Sequence, residues 1–234
     1  MKPGLRPLLL GHRGARAVGR YRMRFASGTV PPENTLAAFD YALAQGCDGV
    51  EFDVRHTSDF RNVVCHDPIL RGVEVAEAGF SQLCALGPPP IPCLEDVVAR
   101  YADRAYLDIE LKESGNEESV VASVHNGPGR NGILVSSFKP EVLLRLHELD
   151  GSLRLGYICD DKDRAKHWAQ LPVSAFLPHQ KLVSQNLVNE VHRQNVQLIT
   201  WTVNGTLGGM GIMGLAPGSI VWRHTTTDQR RPDA

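Results

Sequence analysis

The sequence predicts an α/β protein, specifically a single-domain (β/α)8 TIM barrel over residues 1–234. Two observations carry this prediction: eight short apolar runs recur along the chain, and amphipathic stretches of helical period separate most of them. Strands that alternate with helices form a parallel sheet with right-handed crossovers. Eight such units in about 250 residues match the size of this barrel, which is usually one domain.

The predicted strands and helices alternate in chain order. The strands are 8–11, 49–54, 105–111, 133–136, 153–158, 173–177, 197–203 and 219–222. The clearest helices are 35–44, 94–101, 139–149 and 183–194. Gly46 and Pro140 stand where two of these helices end or begin, which agrees with the roles of glycine and proline at helix ends.

Composition excludes several classes of protein. The formal net charge is -1, which gives no support for nucleic-acid binding. The five cysteines include no Cys-x-x-Cys pair, which argues against a disulfide framework and against a zinc site. The apolar run 8–10 is too short for a signal peptide or a membrane span. We therefore expect a soluble cytoplasmic protein with small-molecule partners.

Two carboxylates on one predicted strand are the clearest functional signal. Glu51 and Asp53 alternate with apolar residues in the second run, so both side chains point to one face. Buried, unpaired like charges are costly, and a divalent cation is a common remedy. Glu110 in the third run adds an oxygen ligand of the kind that Mg²⁺ or Ca²⁺ takes. The alternative is a metal-free cluster in which Arg13 and Lys112 pair with these acids.

Polar residues follow other predicted strands as well, at the end of the barrel where this architecture carries its active sites. His12 and Arg13 come directly after the first run, and Lys112 follows the third. The ammonium of Lys112 is a point charge suited to a phosphate oxygen. His12 and His66 are the candidates for proton transfer. A cation site, a phosphate anchor and two histidines together indicate phosphodiester hydrolysis.

Short motifs recur in a fixed order along most of the chain. The principal segments are 11–14 (GHRG), 32–35 (PENT), 49–54 (GVEFDV), 64–67 (VCHD), 109–112 (IELK), 136–138 (SSF) and 201–204 (WTVN). At these segments the sequence resembles the glycerophosphodiester phosphodiesterase family. The resemblance covers roughly residues 8–204 and implies a TIM barrel that releases glycerol 3-phosphate and an alcohol such as choline or ethanolamine.

The resemblance also implies a role for each matching site residue. The expected cation ligands are Glu51, Asp53 and Glu110. The expected acid and base are His12 and His66. The expected phosphate-binding residues are Arg13 and Lys112.

Three further residues have two competing roles each. His179 follows the sixth run and either faces the site or is an ordinary polar residue. Glu33 either belongs to the site or simply stands at a helix start, where an acid suits the helix dipole and Asn34 or Thr35 is the expected cap. Trp201 either packs in the core or lines a glycerol pocket.

Two segments depart from the family pattern. The connection 15–30 is longer than is usual in the family and contains four arginines, so it is either a basic loop that attracts an anionic substrate or a solvated loop. The tail 205–218 is too rich in glycine for a stable helix, which predicts an irregular last unit. A weakly closed barrel would leave a gap that a homodimer contact covers.

Two other functions remain open from the sequence. Phospholipase D-like hydrolysis of lysophospholipid or sphingomyelin uses a similar barrel, although those proteins are usually secreted and disulfide-bonded. A non-catalytic phosphodiester-binding barrel is the other alternative, suggested by the irregular tail. The intact acid, base and metal positions favour an enzyme.

Overall fold

The computed structural model describes residues 8–15, 30–129, 132–203 and 220–223, the last range for its backbone only. Strands make up much of these ranges. In chain order they are β1 (Leu9–His12), β2 (Gly49–His56), β3 (Asn62–Val64), β4 (Ile69–Leu70), β5 (Val73–Glu74), β6 (Tyr106–Leu111), β7 (Ile133–Ser137), β8 (Leu155–Cys159), β9 (Ala175–Pro178), β10 (Gln197–Thr200) and β11 (Ile220–Arg223).

Eight of these strands pair side by side into a parallel barrel. The order around the ring is β1, β2, β6, β7, β8, β9, β10 and β11, and β11 pairs with β1 to complete it. All eight predicted runs therefore form barrel strands. The last of them pairs with both β10 and β1, so the ring has no gap there. The glycine-rich tail 205–218 lies outside the described residues.

Six α-helices lie in the described ranges, and all but the second pack around this ring. They are α1 (Leu36–Ala44), α2 (Phe80–Cys84), α3 (Leu94–Tyr101), α4 (Glu117–Asn126), α5 (Pro140–Leu149) and α6 (Gln185–Arg193). The helices α1, α3, α5 and α6 confirm the four predicted ones. Thr35 and Ser184 cap α1 and α6, each accepting the backbone N–H three residues on. Among the described helices, none has the length and apolar character that a membrane crossing requires.

Alternation along the strands separates two cores. Val50, Phe52 and Val54 pack with the helices in the outer core. Glu51 and Asp53 share the opposite face, as strand alternation predicts. A second apolar cluster comes from residues that point into the barrel, and it consists of Leu10, Leu134, Ile158, Ala175, Leu177 and Ile199. The acids therefore lie on the inward side of β2.

A small lobe follows β2 and precedes α3. β2 continues past its predicted end because Arg55 and His56 pair antiparallel with Val63 and Asn62 of β3. A hairpin of β4 and β5 and the short helix α2 complete the lobe, which has its own apolar cluster. Because the lobe begins where β2 ends, it lies at the barrel end to which the polar site residues belong.

Candidate active site

Four of the predicted site residues come from three adjacent strands. In the sheet register His12 of β1 lies beside Glu51 of β2, and Asp53 of β2 lies beside Glu110 of β6. Lateral neighbours in a sheet project their side chains to the same face. The register therefore brings one histidine and three carboxylates together.

The motif after β1 makes a tight turn that its glycines permit. A Cβ at Gly11 would lie 2.4 Å from the Gly14 carbonyl oxygen, and Gly14 has a φ of 74°. Arg13 also adopts a left-handed φ of 51°, which costs a non-glycine residue about 1 kcal/mol. This turn points the backbone N–H of Arg13 at Glu51 Oε2, at 2.9 Å.

Glu51, Asp53 and Glu110 form what we call the acid cluster. One oxygen from each lies within 4.8 Å of the others, and all three side chains are buried. Burial raises the pKa of Glu51 well above its ordinary value, and the charges of Asp53 and Glu110 raise it further. Burial also raises the pKa of Glu110 to about 7. The cluster is therefore short of positive charge.

Arg13 and Lys112 supply part of that charge. Lys112 Nζ lies 2.8 Å from Asp53 Oδ1 and also contacts Glu110. Arg13 Nε lies 3.1 Å from Asp53 Oδ2. Burial alone would raise the pKa of Asp53, but Lys112 and Arg13 outweigh it and hold this pKa below its ordinary value. Pairing with Arg13 and Lys112 alone, without a metal, thus accounts for the charge of Asp53 and for part of the charge of Glu110.

Glu51 is the member of the cluster that these cations do not neutralise. Its Oε2 accepts the Arg13 N–H and lies 3.7 Å from His12 Nε2. Its Oε1 is buried and has no hydrogen-bond partner among the described residues, which is costly for a carboxylate. Three clustered hard oxygen donors, one of them open, fit Mg²⁺ or Ca²⁺. The acid cluster is therefore consistent with a metal site.

The turn before α1 supports the site in a way that the sequence does not reveal. Asn34 Nδ2 donates to Asp53 Oδ2 at 2.8 Å, and Asp53 N donates to Asn34 Oδ1 at 3.4 Å. Arg13 donates to Glu33 Oε1 at 2.7 Å. Thr35 is the cap of α1. Glu33 therefore binds Arg13 in addition to standing at a helix start, and Asn34 orients Asp53. The motif 32–35 is the only signal in the sequence for either role.

The two predicted acid–base residues differ in exposure. His12 is buried beside Glu51, whereas the side chain of His66 is 35% exposed. His66 Nδ1 lies 2.7 Å from Asp67 Oδ1. Burial lowers the pKa of His66, and Asp53 acts in the opposite direction. The preceding residue, Cys65, donates its backbone N–H to the carbonyl oxygen of Asp53 at 2.9 Å, so the His66 loop lies beside the strand that carries Glu51 and Asp53.

Trp201 belongs to an aromatic cluster across the barrel. It directly follows β10, and its Nε1 donates to the carbonyl oxygen of Leu177 at 2.9 Å. Its ring meets Phe138 and His179 edge-on, at centroid distances of 5.6 and 5.0 Å. The indole is half-buried, so Trp201 combines packing with exposure at the strand ends. His179 lies in this cluster rather than among the charged residues.

A groove of about 200 Å³ runs between the lobe and the turn before α1. Its polar lining includes Glu33, His66 and Asp67. Its apolar lining includes Ile69 and Ile91. In the ring, β2 is three strands from β10 and four from β9. His179 and Trp201 of the aromatic cluster therefore lie across the ring from β2, whereas the groove lies beside the lobe that follows β2.

Some predicted features lie outside the described residues. They are Asn204, the arginine-containing part 16–29 of the long connection, and the tail 205–218.

Comparison with known proteins assigns the family. The profile of the glycerophosphoryl diester phosphodiesterase family matches residues 12–216. The chain belongs to this family. It is therefore an enzyme of the phosphoric diester hydrolase class, which agrees with the motif resemblance.

Relatives and solved structures agree with this family assignment. A glycerophosphodiester phosphodiesterase of Bacillus altitudinis is 29% identical over 81% of this chain and 91% of its own length. The crystal structure of a glycerophosphodiester phosphodiesterase from Thermotoga maritima matches 92% of this chain and 94% of that one, with a TM-score of 0.72 and 24% identity. An Oleispira antarctica phosphodiesterase, solved with the product sn-glycerol-3-phosphate, matches 94% of this chain and 93% of its own, with a TM-score of 0.77 and 20% identity. The two structures confirm the TIM-barrel fold.

Proposed function

We propose that this protein hydrolyses glycerophosphodiesters, such as glycerophosphocholine or glycerophosphoethanolamine, to glycerol 3-phosphate and an alcohol with the aid of a divalent cation. The observation that carries the proposal is the buried acid cluster with Arg13 and Lys112 against it. When ionised, these five side chains leave one negative charge. A divalent cation turns this into one positive charge, which matches a phosphodiester monoanion.

Arg13 and Lys112 are the proposed phosphate-binding residues. The guanidinium of Arg13 suits two phosphate oxygens, whereas the ammonium of Lys112 acts as a compact charge. Burial alone would lower the pKa of Lys112, but Glu110 and Asp53 outweigh it and raise this pKa. Lys112 therefore keeps its charge at neutral pH.

The acid cluster is the proposed cation site. Glu51, Asp53 and Glu110 are the residues that would hold Mg²⁺ or Ca²⁺. When bound, such an ion supplies positive charge that stabilises the charge developing on the phosphoryl oxygens. Asn34 holds Asp53 in place through the paired hydrogen bonds between their side chains and backbone, which keeps the donor set preorganised.

His12 and His66 are the proposed proton carriers. One accepts the proton of the attacking hydroxyl, and the other donates a proton to the departing alcohol oxygen. The attacking group is water or the adjacent glycerol hydroxyl; the latter gives a cyclic phosphate that water then opens. Because Asp67 contacts His66 Nδ1, Nε2 is the nitrogen of His66 left for this exchange.

The two ester arms of the substrate have separate places in this proposal. Trp201 and the aromatic cluster line the glycerol side, since a half-buried indole presents an apolar face to the carbon backbone. The groove beside His66 takes the alcohol arm. Its volume of about 200 Å³ suits a small head group such as choline or ethanolamine.

A coupled assay for glycerol 3-phosphate tests the function. Purified protein is assayed on glycerophosphocholine, glycerophosphoethanolamine and glycerophosphoglycerol, with Mg²⁺, Ca²⁺ or Mn²⁺. We expect release of glycerol 3-phosphate from at least one diester. Binding of these diesters without any release would instead indicate a non-catalytic barrel.

Lysophosphatidylcholine separates the phospholipase D-like alternative from the proposed activity. We expect kcat/KM on glycerophosphocholine to exceed that on lysophosphatidylcholine by about tenfold or more, because the acyl chain of lysophosphatidylcholine is attached to the glycerol, the arm that is proposed to lie against Trp201. A reversed preference would favour the alternative.

A further inference from the structure

Arg55 occupies the position on β2 that follows the two acids on the same face. Glu51, Asp53 and Arg55 alternate along the strand, yet Arg55 contacts neither acid in the described structure and turns toward the lobe. Its Nε donates to the backbone carbonyl oxygen of His66 at 2.9 Å. Its NH1 donates to Glu113 Oε2 at 2.8 Å. One largely buried arginine side chain, 14% exposed, therefore links the loop of His66 to a carboxylate.

Glu113 fixes the other end of this link. It directly follows Lys112, whose backbone N–H donates to the Val54 carbonyl at 3.1 Å. The second oxygen of Glu113, Oε1, accepts the backbone N–H of His56 at 3.1 Å. Both oxygens of Glu113 are thus bound to the end of β2. The guanidinium is anchored between the strand that carries Asp53 and the segment that carries Lys112.

Two contacts tie the His66 segment to β2: Cys65 donates its backbone N–H to the carbonyl oxygen of Asp53 at 2.9 Å, and Arg55 contacts His66 itself. His66 lies in the loop after β3, and within the described residues its carbonyl oxygen takes its hydrogen bond from the Arg55 side chain rather than from the backbone. The partner of its ring, Asp67, is 74% exposed and belongs to the same loop. Asp67 therefore orients the ring within the loop, whereas Arg55 ties His66 itself to the barrel, one residue beyond the contact of Cys65.

We propose that Arg55 and Glu113 act together as a bridge that positions His66 against the acid cluster. Neither residue touches the proposed cation or phosphate positions, so both are positioning residues. The inference rests on the proposed role of His66 in proton transfer. A displacement of about 1 Å in a catalytic group is enough to cost about 100-fold in rate, so the bridge is expected to affect turnover rather than substrate affinity.

Steady-state kinetics of Arg55→Gln and Glu113→Gln test the bridge. We expect each variant to lower kcat by about 10- to 100-fold and to leave KM within about twofold, because Lys112 and Arg13 keep their own contacts. Cation affinity, measured by calorimetry, is expected to stay within about twofold of the wild type. Because the two residues act as one unit, the double variant is expected to be no slower than the slower single variant.

Two further variants separate positioning from charge. Arg55→Lys keeps the positive charge but cannot donate to both acceptors in the same geometry, so we expect its kcat to remain at least about fivefold low. Arg61→Gln is the matched control, since Arg61 lies in the same connection and contacts Cys93 rather than His66; its kcat is expected within about twofold of the wild type. Full activity of Arg55→Lys, additive losses in the double variant, or a loss confined to KM or cation affinity would overturn the bridge.

A structural measurement keeps the inference independent of activity. If wild-type protein and Arg61→Gln release no glycerol 3-phosphate, the proposed function fails. Crystal structures of the wild type and Arg55→Gln then decide the bridge alone. A shift of His66 by about 1 Å or more supports it, and an unmoved His66 overturns it. If a variant is too unstable for kinetics at the assay temperature, its crystal structure is compared with that of the wild type at a lower temperature, where the variant remains folded.

Discussion

The two sides of the barrel differ in what they bury. β1, β2 and β6, which we call the charged arc, contribute His12, Glu51, Asp53 and Glu110. β8, β9 and β10, which we call the apolar arc, contain no carboxylate, lysine, arginine or histidine. Inward-facing residues of the apolar arc, such as Ile158 and Leu177, are fully buried and pack together.

We infer from this difference that the charged arc serves activity and the apolar arc serves stability. Buried like charges oppose folding unless a ligand compensates for them, so the charged arc retains a destabilising arrangement that suits a cation and a phosphate. The apolar arc gains stability from close packing. Substitutions in the charged arc are therefore expected to remove activity at little cost in stability, and substitutions in the apolar arc the reverse.

Glu51→Gln is the strongest way to break this contrast. We expect kcat/KM to fall by about 1000-fold, because a proposed cation ligand and its electrostatic contribution are removed together. Calorimetry is expected to show lost or greatly weakened cation binding. The metal-free variant should unfold at the same or a higher temperature than the wild type, since the raised pKa of Glu51 shows that its ionised form is unfavourable in the fold.

Leu177→Ala is the matched control from the apolar arc. Leu177 is fully buried, so its truncation should lower the free energy of unfolding by about 2–5 kcal/mol. Its kcat/KM is expected to stay within about fivefold of the wild type at a temperature where it is folded. If Glu51→Gln destabilised the metal-free protein as much as Leu177→Ala while staying active, the contrast would be wrong.

His12→Ala and His66→Ala should each lower kcat by about 100-fold or more, because general acid–base groups contribute roughly that much. His179→Ala is the control, since His179 contacts Trp201 in the aromatic cluster, and its kcat is expected within about fivefold of the wild type. Near-normal turnover of either of the first two variants would remove its proposed role.

Trp201→Leu sharpens the contrast from the side of the aromatic cluster. Because Trp201 is proposed to contact glycerol rather than the reacting phosphate, we expect KM to rise about three- to tenfold with kcat changed less. Inhibition by glycerol 3-phosphate should weaken in parallel. A loss in kcat alone would assign Trp201 to packing or to the chemistry instead.

The dependence of stability on pH is the smallest expected effect. The pKa of Glu110 is raised from an ordinary 4.5 to about 7, and that of Glu51 is raised as well. A raised carboxyl pKa means that the folded state holds the proton more tightly than the unfolded state does. The contribution of the protonated carboxyl groups to the free energy of unfolding is therefore fully present below about pH 4.5 and is lost as pH rises through about 7. Asp53, whose pKa is lowered, has the opposite effect only in more acidic solution.

A thermal unfolding series between pH 5 and pH 8 measures this effect. We expect Mg²⁺ or Ca²⁺ to raise Tm by more at pH 8 than at pH 5, because at low pH protons already occupy the sites of the cation. In the metal-free Glu51→Gln variant the fall of Tm toward pH 8 should be shallower. An equal rise in Tm at both pH values would contradict the link between the acid cluster and the cation.

The barrel and much of the site could be predicted from local sequence patterns. Apolar runs mark the strands, and alternation along the second run is enough to place Glu51 and Asp53 on one face. The roles of Asn34 and Arg55 were not predictable in this way. Asn34 binds a residue 19 positions away, and Arg55 binds Glu113 58 positions away. Such contacts depend on how the turn before α1 and the segment after β6 lie against β2 in the folded protein.

The most direct test of cation-dependent catalysis by the acid cluster is the assay of glycerophosphodiester hydrolysis before and after exhaustive chelation. If the acid cluster works through a divalent cation, chelation abolishes release of glycerol 3-phosphate, and added Mg²⁺ or Ca²⁺ restores it in the wild type but not in Glu51→Gln. Activity that survives exhaustive chelation would contradict a cation-dependent reaction at the acid cluster.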